Sequence, residues 1–449
     1  MKKIFYVLTA VLAALAFVSC EDFLTKTPQT ALSPSSFFKT ESDLELWTNK
    51  FYSDLLEDTG IAETYADDMM GSSLSALQKG TRTTSSKSWS TPSVGSDNYI
   101  SSNGTFTPLM NINYFLEHSS NCKDDAVREK YNGVAYFFRA YVYYQLVTRF
   151  GGVPILREPS MGVVPISPEA DVWAQIIADL NEAEKYLEPV SNVYRPSDEA
   201  CWVLLSKAYL WVGDKAKAIE YADKVIDPKF VLSKTSEEFA GMYVAGQSSK
   251  EIVFALANKR STSFLRLFEK MNDTDASFNY SMAEELRTSL FADTYGTGDI
   301  RKEPTYNPAY PVRIIKFPNG GQNMGQFIAN EDPSASPIMV FRLADAYLTK
   351  AEAQGASAGL ATMKTFMESR YASVALPATM DDKDFQNLVL DENNREFYAE
   401  GRRWFDIKRT KRTDLYKTWN GRDYLLYWPI PQDEIDLVGK EAYPQNPGY

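Results

Sequence analysis

Two helix-periodic stretches separated only by Gly213 and Asp214 constrain this chain more than any other feature. Residues Glu199 to Val212 read as one helix, Gly213-Asp214 as a turn, and Lys215 to Ile226 as the next helix. Along the pair, Trp202, Leu205, Ser206, Tyr209 and Ala218 alternate large and small side chains. That alternation lets two antiparallel helices interlock, ridges of one in grooves of the other.

The spacing matches a tetratricopeptide repeat. Val340, Leu343, Ala344 and Tyr347 repeat it, as do Tyr131, Val134, Ala135 and Phe138. Any amphipathic helix can carry this spacing, so the short turn and the recurrence of pairs carry the reading. Further helices are expected over Glu41 to Leu56, Glu129 to Arg149, Pro168 to Leu187 with Ser167 as N-cap, Ile338 to Ala353, around Ala361 to Tyr371, and Asp384 to Tyr398. The fold class is mostly α, with four TPR-like helical pairs near 129–187, 196–226, 338–372 and 382–416 and a few short strands. A loop-rich insertion, residues 230–337, interrupts the pairs; Glu251 to Leu256 and Arg313 to Phe317 read as strands, with Asn319-Gly320-Gly321 as a hairpin turn. Long irregular segments on a rigid frame are usual places for binding.

Composition removes several functions. A net charge of −12 repels phosphate backbones and argues against nucleic acid. His118 is the only histidine, which removes multi-histidine metal sites and histidine-based triads. No P-loop, no Gly-x-Ser-x-Gly elbow and no cofactor motif is present. A glycosidase built on two carboxylates stays open, because the chain holds 59 Asp and Glu. Arg395, Arg402 and Arg403 could form an anion site, but Glu396, Glu400 and Asp406 recur at helical spacing and favour an ion-pair network. Cys201, in an apolar helix, reads as a buried thiol, whereas Cys122 lies among polar residues; whether they pair is open.

The N-terminus has Lys2 and Lys3, an apolar run from Ile4 to Val18, then Ser19-Cys20-Glu21-Asp22. That is a secretory signal over residues 1–19, too short to span a bilayer. A cysteine at the cleavage point makes Cys20 the candidate lipidation residue, with plain secretion as the alternative. Residues 20–40 form a tether, and 41–449 one domain. Residues 81–107 hold fourteen Ser or Thr, yet Trp89, Tyr99 and Phe106 sit among them.

Several segments together resemble the SusD/RagB family of Bacteroidota outer-membrane lipoproteins. They are Ser19 to Leu24, Phe138-Arg139-Ala140-Tyr141 leading into Arg149 to Pro154, Arg342 to Tyr347, Glu400 to Asp406, Tyr427 to Pro431, and Gln445 to Tyr449. The resemblance implies a non-enzymatic nutrient-binding lipoprotein, fatty-acylated at Cys20, facing the exterior and partnered with a SusC-like TonB-dependent transporter. It implies an oligosaccharide ligand, packed on aromatic faces and hydrogen-bonded through its hydroxyls. It also places ligand contacts in the loop after the first helix and in the central insertion. The candidates are therefore Trp89, Asn98, Tyr99 and Tyr295, with polar contacts from Arg82 and Asp67. Some relatives resemble oligopeptide binders, which is the first alternative; a TPR scaffold that binds a protein in its groove is another.

Overall fold

The computed structural model describes residues 37–56, 106–160, 162–244, 249–257, 284–305, 316–317, 337–415, 423–430 and 432–448. Two helices, α1 (Glu41–Leu56) and α2 (Phe106–His118), pack together and against the long α3 (Asp125–Phe150). Asp124 caps α3 by accepting from the Val127 amide at 3.2 Å. The helix ends at Gly151, whose φ of 77° suits a residue without Cβ. Phe137, Phe138, Tyr141, Val142, Tyr143 and Tyr144 are all buried, so α3 is covered on several sides.

The repeat pairs follow in order. Helix α3 packs on α4 (Glu169–Ala183). Next, α5 (Asp198–Val212) packs on α6 (Lys215–Val225). Ser197 caps α5, Gly213 ends it at φ 85°, and Asp214 caps α6 through the Lys217 amide. Three short helices lie in the insertion: α7 (Ser236–Gly241), α8 (Glu284–Ser289) and α9 (Lys302–Thr305). The third pair is α10 (Leu343–Met367), broken at Gly355, where φ is 69° and ψ −176°. The break folds one half onto the other: a Cβ on Gly359 would lie 2.4 Å from the Ala351 carbonyl oxygen. Helices α11 (Asp382–Glu396) and α12 (Arg403–Thr410) form the fourth pair, and α13 (Gln432–Val438) follows. Adjacent pairs contact through α4 with α5, α6 with α10, and α10 with α11. The mostly α class with four TPR-like pairs is what the structure has.

Three short antiparallel ribbons lie among the described residues: β1 (Val153–Pro154) with β2 (Ile166–Ser167), β3 (Ile252–Leu256) with β5 (Ile338–Arg342), and β4 (Gly296–Asp299) with β6 (Tyr371–Val374). These correct several sequence expectations. Ile338 to Arg342 is a strand, not the first turn of a helix, and α10 begins only at Leu343. All five of its residues are buried, so no periodicity marks it. Tyr371 belongs to β6, not to a helix. Pro168, not Ser167, occupies the N-cap of α4 and has no side-chain group to cap with, while Ser167 pairs with Val153 in the ribbon. Cys122 is buried despite its polar neighbours, and both it and Cys201 are free thiols.

The C-terminal segment closes the end of α3. Terminal helix carbonyls have no partner within the helix and need donors from elsewhere. Lys408 Nζ donates to the Thr148 carbonyl at 2.7 Å and the Trp428 amide to that of Arg149 at 2.9 Å. Asn446 Nδ2 donates to the Phe150 carbonyl at 3.0 Å. Burial pushes the Lys408 ammonium down to about 7, with Glu169 opposing.

Candidate functional site

Of the ligand-contact candidates, Tyr295 lies among the described residues. It precedes β4, its carbonyl accepts from the Ala375 amide at 2.9 Å, and its half-buried side chain packs against the core. Asp67, Arg82, Trp89, Asn98 and Tyr99 lie outside the described residues, as do Cys20, most of the Arg313–Phe317 stretch and Asn319-Gly320-Gly321.

The structure does show how the segment carrying five of these candidates is held. It leaves from α1 and returns at α2, and those two helices are locked together. Trp47 stacks on Tyr114 at 5.3 Å, and its indole Nε1 donates to the Asn111 carbonyl at 3.0 Å. Asn111 Nδ2 donates to Asp54 at 2.7 Å. Below them Phe51 meets both Phe115 and Phe138 edge-on at 5.9 Å. A second lock joins α2, α3 and α4. Arg139 binds both Asp179 oxygens, at 2.9 and 2.6 Å, and Asn113 at 2.9 Å. The helices on either side of residues 57–105 are thus fixed to one rigid body.

The insertion is fixed by a buried ion network. Glu396, at the end of α11, takes hydrogen bonds from Arg301 at 3.1 Å, from Arg370 at 2.9 and 3.0 Å, and from Arg342. Arg342 and Arg370 also reach Glu251, beside β3. Glu400 accepts from Lys316, from Arg342 at 3.0 Å and from Tyr243 at 2.8 Å. Arg301 further binds Asp299 and Glu392, and Tyr371 donates to Glu392. All these charged side chains are buried. Burial alone would raise the Glu396 carboxyl, but Arg370 and Arg342 outweigh it and hold it well below the usual carboxylate range.

This network decides the arginine cluster. The structural reading holds, but with other partners than the local spacing implied. Arg395 binds Glu392 and the Leu290 carbonyl, Arg402 the Val340 carbonyl, and Arg403 the Leu390 carbonyl. Asp406 pairs with Arg409 at 3.3 Å. Sequence reading missed Arg301, Lys316, Arg342, Arg370 and Glu251 as partners. One signal was present: Arg342 ends the apolar run Ile338 to Phe341, where a buried charge demands a buried counter-charge. Among the described residues, no three His, Cys, Asp or Glu stand together in a metal-binding group.

Four stacked helical pairs, tied together by buried ion pairs and aromatic contacts, define a helical-repeat protein. Comparison with known proteins names the family. A profile described as SusD-like, starch-binding and associating with the outer membrane matches residues 22–210, and the SusD family profile matches residues 258–423. SusD-like protein P2 of Formosa agariphila is 26% identical, with 100% of both chains covered. The starch-binding protein SusD of Bacteroides thetaiotaomicron is 25% identical over 76% of each. A solved SusD superfamily protein from Bacteroides vulgatus has a TM-score of 0.75 at 17% identity, covering 92% of this chain and 100% of that one. The chain belongs to the SusD/RagB family, a carbohydrate-binding family associated with the outer membrane.

Proposed function

We propose that this protein is an acyl-anchored outer-membrane lipoprotein that binds an oligosaccharide noncovalently and delivers it to a SusC-like TonB-dependent transporter. One observation carries the reading: the starch-binding profile spans α1, α2 and the Ser/Thr-rich segment between them, whose ends the frame holds rigidly. Rigid presentation lowers the ordering entropy a ligand must overcome. The aromatics Trp89, Tyr99 and Tyr295 supply faces for sugar C–H groups; Asn98, Arg82 and Asp67 supply hydrogen bonds. Binding of this kind needs no general base, consistent with one histidine. The lipid on Cys20 keeps the body at the membrane, on the exterior face where nutrient arrives. Residues 20–40 serve as the tether and 41–449 as a single body.

Calorimetric titration against a glycan panel and a peptide pool tests this. Heat with one glycan class is expected, and Trp89→Ala weakens that binding about tenfold, the loss of one ring-on-aromatic contact. Peptide heat with glycan silence instead assigns the protein to oligopeptide capture.

A further inference from the structure

A C-terminal strap, carrying Tyr427, Trp428, Gln445 and Asn446, closes over a buried lysine. Among the described residues two lysines are buried, Lys316 and Lys408. Lys316 has the Glu400 carboxylate as counter-ion. Lys408 forms no ion pair among the described residues. Its Nζ donates to the Thr148 carbonyl at 2.7 Å and lies 3.9 Å from the centre of the Tyr427 ring. A carbonyl dipole and a ring face compensate a desolvated ammonium less than a carboxylate does.

The strap is held by bonds that lie side by side. Tyr427 covers Nζ, and its hydroxyl donates to Glu169 at 3.2 Å. Trp428 and Asn446 hold the next two carbonyls of α3, those of Arg149 and Phe150, at 2.9 and 3.0 Å. Gln445 bonds both the amide and the carbonyl of Ile430, at 2.7 and 2.8 Å. Lifting Tyr427 and Trp428 breaks the bonds to α3 together and lets water reach Lys408. The other charged groups near Lys408 leave it without a partner of its own. Glu169 of α4 attracts the ammonium, but it accepts from the Trp173 and Trp211 indoles, at 3.3 Å each, as well as from Tyr427. Arg149 of α3 lies over Trp428 at 5.4 Å. On α12 itself, Asp406 pairs with Arg409 at 3.3 Å. Burial therefore prevails and pushes the Lys408 ammonium down to about 7, against about 10.4 in water. Burial and Glu169 push the Tyr427 hydroxyl up to about 12, so it stays protonated over the same range.

We propose that the strap is a proton-linked latch, which opens with uptake of a proton by Lys408 and closes more tightly as the medium turns alkaline. Between about pH 7 and 10.4 the open amine binds a proton that the closed one has lost, so opening falls about tenfold per pH unit. Below about pH 7 both forms hold the proton and the dependence vanishes. Deuterium exchange of the full chain in detergent, read by mass spectrometry, tests this on peptides carrying the Tyr427, Trp428 and Ile430 amides. Hydroxide catalyses exchange of an open amide, so rates ordinarily rise about tenfold per pH unit. In the strap the two effects cancel, and nearly constant rates are expected between about pH 7.5 and 9.5. Lys408→Met keeps a chain of similar length without the amine, and its strap rates are expected to rise about tenfold per unit. Wild-type strap rates that climb as steeply overturn the latch. So do rates that stay flat in Lys408→Met, where opening itself then limits exchange. Strap amides that exchange no faster than those around Val142 in mid-α3 also overturn it, because unfolding of the whole frame then exposes them. The wild-type profile decides even if the variant does not fold.

Discussion

Replacing Glu396 with glutamine is expected to destabilise the protein by about 3–5 kcal/mol, read as a fall in the urea midpoint. Glutamine keeps the shape but removes the charge that three buried arginines share. Uncompensated buried cations are costly because water cannot reach them. The effect also has a pH signature. The Glu396 carboxyl is held well below its ordinary value in the fold. A depressed carboxylate contributes stability that is present above its unfolded pKa, about 4.3, and lost as pH falls toward the folded value. The wild-type protein should therefore lose stability steeply below about pH 4.5, and Glu396→Gln should lack that part of the loss. Equal urea midpoints for the two proteins at pH 7 would contradict the network's role.

Replacing Cys20 with serine is expected to move the protein from the outer-membrane fraction to the soluble envelope fraction almost completely. Acyl chains hold through burial of their methylenes, about 0.8 kcal/mol each, and a multiply acylated cysteine supplies many. Serine offers no thiol for the thioether that carries them. Fractionation with mass spectrometry of the N-terminus checks this. A wild-type N-terminus without acyl chains, or a variant that stays with the membrane, would contradict the anchor.

Much of the frame was legible because its signals are local. Helix α1 runs over the residues expected for it, and α5 and α6 agree within one residue, with Gly213 and Asp214 as the punctuation. The strand Ile338–Arg342 was not legible, because five consecutive buried residues carry neither helical nor strand periodicity. Its partner, Ile252–Leu256, lies far away in the chain. The partners within the ion network were not legible, because they too lie far apart in the chain. Neighbouring carboxylates at helical spacing suggested local partners for Arg395, Arg402 and Arg403. Glu396 instead pairs with Arg301, which is 95 residues distant, and with Arg342, which is 54 distant. Of the proposed ligand contacts, Trp89 and Tyr99 stand out only as aromatics in polar sequence, a pattern that names no ligand.

The most direct test of noncovalent glycan capture is equilibrium dialysis of the purified protein against the best-binding oligosaccharide, followed by mass analysis of the sugar on both sides. The account predicts an excess of sugar on the protein side, saturating with concentration, and every molecule recovered at its original length. Shortened products accumulating with time, or equal concentrations across the membrane, would contradict it.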